Sequence, residues 1–549
     1  MKRRIVMSML AGATLLASSL LGAAPARSAD VPAEFGTDWH DPVTAAPPVT
    51  KPSGKSCQVT VAEARFRDFT PYKGTYTPPD GCGERWSKVV LRMDGKVKGR
   101  QFDRLGYLHV GGVEIFRTST PEPSPDGIEW SVEKDVTRYS DTFRRGQDVE
   151  MLIGNVVDDT YTGVIDVKVT LTFYAARPAA NATHPAANAT RPPTAAARSA
   201  TPDRVLTLQN GTVTTPRNSE RIVAEVYATG SGGGCEEFWY LSAPDPAPYS
   251  CKAGDGPYRE VQIEVDGQLA GIAAPFPHVW TGGWSNPFLW YVTPGPRAFD
   301  VKPIEYDLTP FAGLLNDGRP HRVEVSVVGV PAGQSGWSAP VNVLVWQDAK
   351  SAHVTGRLTE HKAGDLANSS TYTPGSEHRV DTQGGHRLTV GGYVDTSHGR
   401  VTTTVRRSLA NTSTHRWTDG ENLDALDATW KDDQSVTVDG RGPARTTRTR
   451  LTYTMDGAIT IGAGDRLRTV LTLGDRAAVG TTRAGGRIAW SWLDDTVEGD
   501  ASWTLNVPRD QRHAVGTTSE RYRLYGSAGC YDRSLTSVQG LLTEDRRGC

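Results

Sequence analysis

Three acids stand close together in the stretch GRQFDRLGYLHVGGVEIFRTSTPEP, residues 99–123: Asp103, Glu114 and Glu122. Arg100, Arg104 and Arg117 are interspersed with them. Phe102, Leu105, Tyr107, Val110, Val113, Ile115 and Phe116 read as strand, and Gly111-Gly112 lets that strand turn back. Carboxylates on a stiff strand frame can hold water or a sugar, and become acid or base when their surroundings shift their pKa. The plainer reading is a set of rim charges neutralised by the neighbouring arginines. A second group of acids lies in Cys235-Glu236-Glu237-Phe238-Trp239-Tyr240. Here the plainer reading is one exposed glutamate and one paired with an arginine, in a loop stapled to Cys251. The functional reading is a polar-substrate site, with carboxylates taking hydroxyls and aromatic faces stacking on sugar C–H surfaces. In an extended segment Glu236 and Glu237 point to opposite faces, so only Glu237 is expected to face such a site. Trp280, Trp284, Trp290 and Tyr291, in PFPHVWTGGWSNPFLWYVTPG, add aromatic residues to a Gly/Pro-rich region.

Other chemistries find no support. There is no H-E-x-x-H, no C-x-x-C and no close histidine pair, so no metal site is expected. There is no G-x-S-x-G elbow and no phosphate-binding loop. Gly232-Gly233-Gly234 opens no helix and reads as a loop. No cofactor is implied.

These residues sit in a chain whose composition predicts an all-β fold. Its 549 residues exceed what one core can bury and suggest about three domains. Gly numbers 57 and Pro 35, and Thr and Val are plentiful, as in a protein of many strands and turns. The net charge of −2 gives no reason to expect a nucleic acid or a membrane as partner. Lys2-Arg3-Arg4, the apolar run to Leu21 and small residues to Ala29 read as an export signal, with cleavage after Ala26 or Ala29. The mature protein is thus expected to be secreted. Six cysteines after such a signal predict disulfides. They fall as three sequence-local couples, Cys57–Cys82, Cys235–Cys251 and Cys530–Cys549, although other pairings remain open. If all six are bridged, no thiol is left as a nucleophile.

The expected organisation has six parts: a signal over 1–29, an extended lead-in over 30–56, a β-sandwich over 57–176, a Pro/Ala-rich linker over 177–202, a second sandwich over 203–349, and a β-rich domain over 350–549. The linker contains PAANAT twice and has nothing to bury. Internal likeness suggests that the sandwiches are copies. Val89–Gly95 matches Val261–Gly267 at a shift of 172, Gly111-Gly112 matches Gly282-Gly283 at 171, and Asp135–Tyr139 matches Asp307–Phe311 at 172. A short helical turn is expected at 311–315. The C-terminal part alternates Thr447, Thr449, Leu451, Tyr453 and Met455 with polar residues and is rich in Thr and Arg.

The segments GRQFDR, GGVEIFRTSTPEP, GIEW with KDVTRY, DDTYTGVIDVKVTLTFY, PRNSERIVAEVYATG, EEFWY, GPYREVQIEVDGQLAG, PFPHVWTGGWSNPFLW and DLTPF together resemble the peptide-N-glycosidase A family. The resemblance covers about residues 57–350 and continues more loosely beyond. It implies a pair of jelly-roll sandwiches and a glycopeptide amidase, which cleaves between asparagine and the first N-acetylglucosamine of an N-glycan and leaves aspartate. By resemblance to the F-type enzymes, Asp103 of the D-R pair corresponds to an essential aspartate, and Glu237 to a glutamate in an E-F step beside a cysteine. A third acid corresponds to Glu114, with Glu122 as the alternative. The F-type enzymes carry a second cysteine after that step; Trp239-Tyr240 stand there instead. The expected catalytic set is Asp103, Glu237 and Glu114. Arg104, Arg117, Glu122, Trp239, Trp280 and Trp284 are the expected substrate contacts, and N-glycosylated peptides and glycoproteins the expected partners. Two other readings are a non-catalytic glycan-binding protein and a glycoside hydrolase using two carboxylates.

Overall fold

The computed structural model describes residues 31–176, 201–231, 234–282, 286–334 and 336–549. The expected signal, nearly all of the expected linker, and Trp284 lie outside them. The fold is all-β, with two tandem jelly-roll sandwiches followed by one large antiparallel sheet.

The first sandwich has strands β1 (Ser56–Phe66), β2 (Tyr72–Tyr76), β3 (Trp86–Val97), β4 (Leu105–Val110), β5 (Val113–Ser119), β6 (Ile128–Asp135), β7 (Gln147–Ile153) and β8 (Ile165–Ala175). They form two sheets, ordered β1-β8-β3-β6 and β2-β7-β4-β5. Strand β8 shows why the chain folds this way. Val167, Val169, Leu171 and Phe173 are buried between the sheets, while Lys168 is exposed and Thr172 and Tyr174 are half-buried.

The second sandwich has strands β9 (Arg204–Thr207), β10 (Thr212–Val213), β11 (Ser219–Val226), β12 (Thr229–Gly230), β13 (Glu260–Val265), β14 (Gln268–Ala273), β15 (Ile304–Asp307), β16 (His321–Val328), β17 (Trp337–Ser338) and β18 (Val341–Gln347). Its sheets run β9-β18-β11-β15 and β10-β16-β13-β14, with β12 and β17 as a small extra pair. Leaving out that pair, the order repeats the first sandwich strand for strand, the arrangement of a jelly roll.

The repeat does not keep the constant register suggested by sequence. Val89–Gly95 lies inside β3, where Asp94-Gly95 makes no turn. Val261–Gly267 forms β13 and its turn, which take the place of β4 instead. The true counterparts are Gly111-Gly112 (φ 58° and 77°) and Asp266-Gly267 (φ 49° and 76°). Both are two-residue hairpin turns needing the left-handed region twice, as in type I′ turns. After β15 the shift of 172 holds. Asp135 accepts from the Thr137 amide at 3.0 Å, and Asp307 accepts from the Thr309 amide at 3.0 Å, each before a short 3-10 turn. Between these two points the second copy carries a long connection from residue 274 to residue 303, where the first has only residues 120–127. A helical turn, Ala312–Leu315, follows the second 3-10 turn.

The C-terminal sheet has eleven antiparallel strands between Thr355 and Gly548, several of them 18 to 21 residues long. It packs on the second sandwich and grips the long connection. Ala274 donates to Asp432 at 3.1 Å, and Arg297 pairs with Asp475 at 2.7 Å. Asn286 donates to the Ala501 carbonyl at 2.9 Å, and Thr518 to the Leu289 carbonyl at 2.7 Å. The three expected disulfides, Cys57–Cys82, Cys235–Cys251 and Cys530–Cys549, are all formed.

Candidate active site

Asp103 lies in the loop between β3 and β4, just before the chain enters the strand. It is half-buried, and the backbone amide of Gly282 hydrogen-bonds its carboxylate. Glu122 follows the end of β5 and is buried. The two carboxyls converge on Gly282, in the long connection of the second sandwich. A Cβ at that glycine would lie 2.5 Å from Oδ1 of Asp103 and 2.5 Å from Oε1 of Glu122. Their oxygens are therefore within twice that distance of each other, and only a glycine fits between them. The Thr281 hydroxyl donates to the Thr120 carbonyl, which locks this connection onto the segment leading to Glu122.

The third acid is Glu237, half-buried in the loop between β12 and β13 that the Cys235–Cys251 bridge closes. Its charge acts on Asp103. Burial first, and the Glu237 carboxylate second, push Asp103 up to about 7. Burial, with Asp103 as the neighbouring charge, raises Glu122 well above the usual carboxylate range, against the opposing pull of Arg100 and Arg104. The result is a carboxyl that stays protonated at neutral pH beside one that titrates there, an arrangement suited to paired acid and base work. Arg104 flanks the pair and donates to Gln101 at 2.5 Å.

The structure brings together Asp103, Glu122, Glu237 and Arg104, and separates the others. Glu114 pairs across the hairpin with His109, at the far end from Leu105 and Ser119. That places it about 13 Å along the strand from the Leu105 end of the hairpin, beyond which Asp103 lies, at about 3.3 Å per residue. It is buried in a two-pronged pair with Arg117, at 2.7 and 3.0 Å. Although burial acts to raise its pKa, His109 and Arg117 hold it below the usual range. Arg117 is equally consumed, donating to the Tyr227 carbonyl at 2.9 Å and to Thr229 at 2.7 Å across the sandwich junction. Glu114 and Arg117 thus fasten the two sandwiches together, and of the two acids weighed as the third it is Glu122 that lies beside Asp103.

Two of the expected aromatic contacts are core. Trp239 is buried against Trp430 and Trp337, with ring centres at 5.5 and 6.3 Å. Trp280 is buried and stacks on His278 at 4.5 Å. The aromatic pair beside Asp103 is instead Phe102 and Tyr161, 5.0 Å apart, with Phe102 47% exposed. Phe102 was expected in the strand; it precedes β4 and faces solvent. Its place immediately before Asp103 in GRQFDR was the available signal. For Gly282 the signal was the Gly-Gly of the aromatic stretch. Glu236 and Glu237 do diverge, but in a turn rather than an extended segment. Glu236 is buried and held by Arg259 at 2.7 and 3.0 Å and by the Trp337 indole at 2.6 Å.

All six cysteines are in disulfides, so no thiol is available at the site. Among the described residues, Glu220, Asp348 and His398 bring possible metal-ligand atoms within 4.8 Å of one another. Asp348 there already accepts from the Ser397 amide and hydroxyl at 2.6 and 2.8 Å, which ties the group into a turn.

The chain is thus a pair of tandem jelly rolls with two carboxyls converging at their junction. The chain belongs to the peptide N-acetyl-β-D-glucosaminyl asparaginase amidase A family, whose model matches residues 42–364. It is 31% identical over 381 residues to the peptide-N4-(N-acetyl-β-glucosaminyl)asparagine amidase A of Prunus dulcis, covering 65% of this chain and 66%, just under two thirds, of that relative. Among solved structures, the glycosylasparaginase PNGase F from Flavobacterium meningosepticum aligns with a TM-score of 0.34 and 13% identity, over 54% of this chain and 96% of its own. PNGF-II aligns with a TM-score of 0.33 and 14% identity, over 53% and 66%.

Proposed function

We propose that this protein is an exported glycopeptide amidase, hydrolysing the bond between an asparagine side chain and the proximal N-acetylglucosamine of an N-glycan. The observation that carries the reading is the pairing of Asp103 and Glu122 on Gly282, in a member of this amidase family. Ionised Asp103 takes a proton from a water that attacks the side-chain carbonyl carbon of the substrate. Protonated Glu122 gives its proton to the departing glycosylamine nitrogen. The C–N bond breaks, the asparagine becomes aspartate, and the whole glycan leaves. Arg104 supplies positive charge against the developing oxyanion, and Glu237 takes sugar hydroxyls or the acetamido N–H. Phe102 and Tyr161 offer a face to the sugar. Substrates are N-glycosylated peptides and glycoproteins.

The test is mass spectrometry of one defined glycopeptide after treatment. Loss of the entire glycan with conversion of Asn to Asp is the expected result. A product that keeps one N-acetylglucosamine on asparagine would instead indicate a glycoside hydrolase, and an unchanged glycopeptide a binding protein.

A further inference from the structure

Around Tyr291, whose surroundings also include Glu122, the rim carries three arginines from two distant parts of the chain. Arg100 comes from the loop before Asp103; Arg509 and Arg512 come from a turn of the C-terminal sheet, around the short 3-10 segment Arg509–Gln511. Arg509 lies 5.2 Å over the Trp39 ring, and Trp39 stacks on Tyr291 at 4.0 Å with the rings nearly parallel. Tyr291 in turn feels the charges of Glu122, Arg509, Arg512 and Arg100 together. Arg100 sits 5.5 Å over Tyr161, and Arg512 4.8 Å over Trp503. The three cations therefore border the same end of the site.

None of the three forms an ion pair with a carboxylate among the described residues. The Nε of Arg512 is buried and has no hydrogen-bond partner there. Burial, Arg509 and Arg100 disfavour its charge, against the opposing pull of Tyr291. Nearby acids do not neutralise the group. Glu34 is paired with His513 at 3.0 Å, Asp510 points into solvent, and Glu122 is held protonated. Like charges gathered around an unpartnered guanidinium are disfavoured unless an anion arrives from outside, and a guanidinium fork suits a carboxylate. The N-acetylglucosamine and mannose of an N-glycan core are uncharged, so the substrate part that can bring a carboxylate to this rim is the peptide.

We propose that Arg100, Arg509 and Arg512 bind a peptide carboxylate, so that the enzyme favours glycopeptides with an acidic residue flanking the glycosylated asparagine. This rests on the amidase reading. It also makes the C-terminal sheet part of the substrate site.

The test uses two synthetic glycopeptides with the same neutral high-mannose glycan, one with Asp and one with Lys two residues before the asparagine. Wild type should show a kcat/KM ratio of about five in favour of Asp, the worth of one well-placed exposed pair. The ratio should shrink as salt rises. In Arg509→Gln, and in Arg512→Gln where that folds, the ratio should fall toward one. A wild-type ratio of one overturns the proposal. A third substrate, with a neutral flank and a sialylated glycan, must not gain as the Asp peptide does; if it does, the peptide assignment is wrong. If no substrate turns over, the amidase reading has failed, and equilibrium binding of the Asp and Lys peptides to Asp103→Asn protein still measures the ratio: a preference for Asp upholds the rim, and equal affinity sinks it.

Discussion

At the scale of single residues, environment sets Asp103 and Glu122 apart, and the proposed division of acid and base work follows from it. Asp103 titrates at about 7 because burial and Glu237 both favour its protonated form. In its proposed role as base it acts only when ionised, so activity should rise as pH rises through about 7. Asp103→Asn should remove that limb and lower turnover by about 10²–10⁴-fold, with the melting temperature kept. Turnover that survives this change would transfer the role of base to Glu122. Gly282→Ala should be equally harmful without touching any acid, since its methyl would enter both carboxyls. A wild-type rate in that variant would mean the two carboxyls can move apart freely. The adjacent glutamates give the sharpest contrast. Sequence periodicity separated Glu236 from Glu237 but marked Glu236 as the idle one. It is instead, among the described residues, the one carboxylate paired with a fully buried guanidinium, Arg259. Glu236→Gln should therefore cost about 3–5 kcal/mol of stability, as breaking a buried pair does. Glu237→Gln should lower kcat/KM. The reverse pattern in thermal melts and kinetics would refute the assignment of both.

At the scale of elements, what could be read depended on whether local chemistry decided the matter. Strand β8 and its neighbours follow from period-two burial, which a sequence displays openly. The cysteine couples were readable because each closes a short loop. The duplication was visible, but its register was only half right. The Asp-Gly of β3 and the Asp-Gly after β13 look alike, yet only the second turns, because only there does the backbone take positive φ. Strand identity is fixed by which edge pairs with which, and that is non-local. The same holds for Glu114. On β5 it is a buried acid next to an arginine, as a catalytic residue can be, and only the β4–β5 register shows that it lies a hairpin's length from Asp103. The extra length between β14 and β15 is the most consequential element. It carries Gly282 to the acids, and its tryptophans, read as substrate contacts, include Trp280, which packs the core behind the site.

At the scale of the whole molecule, the C-terminal sheet and the lead-in hold the site's two halves together. Residues 31–55 form no strand but touch every part. Asp38 accepts from the Ser124 hydroxyl at 2.6 Å, Val43 donates to the Val292 carbonyl at 2.9 Å, and His40 donates to the Gly540 carbonyl at 2.9 Å. Near its end, the Ala45 amide donates to Glu520 of the C-terminal sheet at 2.6 Å, and Tyr531 donates back to the Ala45 carbonyl at 3.0 Å. Glu520 is buried beside Asp495, and the two carboxyls share a hydrogen bond. Burial raises both, Asp495 well above its usual range, with Glu520 and then Asp475 adding to the burial effect on Asp495. Arg297, Arg533 and Tyr522 complete the surroundings. The folded state thus holds a proton that the unfolded chain releases near pH 4. The stability this pair contributes is fully present below that pH and is lost as pH rises, at about 1.4 kcal/mol per unit while the proton is retained. Asp495→Asn supplies a permanent N–H donor to Glu520 and leaves its bond to Ala45 in place. Thermal melts from pH 4 to pH 8 should therefore show the variant gaining on wild type as pH rises. A difference that stays constant across that range would mean the pair holds no extra proton, and that the lead-in is fastened to the sheet by hydrogen bonds indifferent to pH.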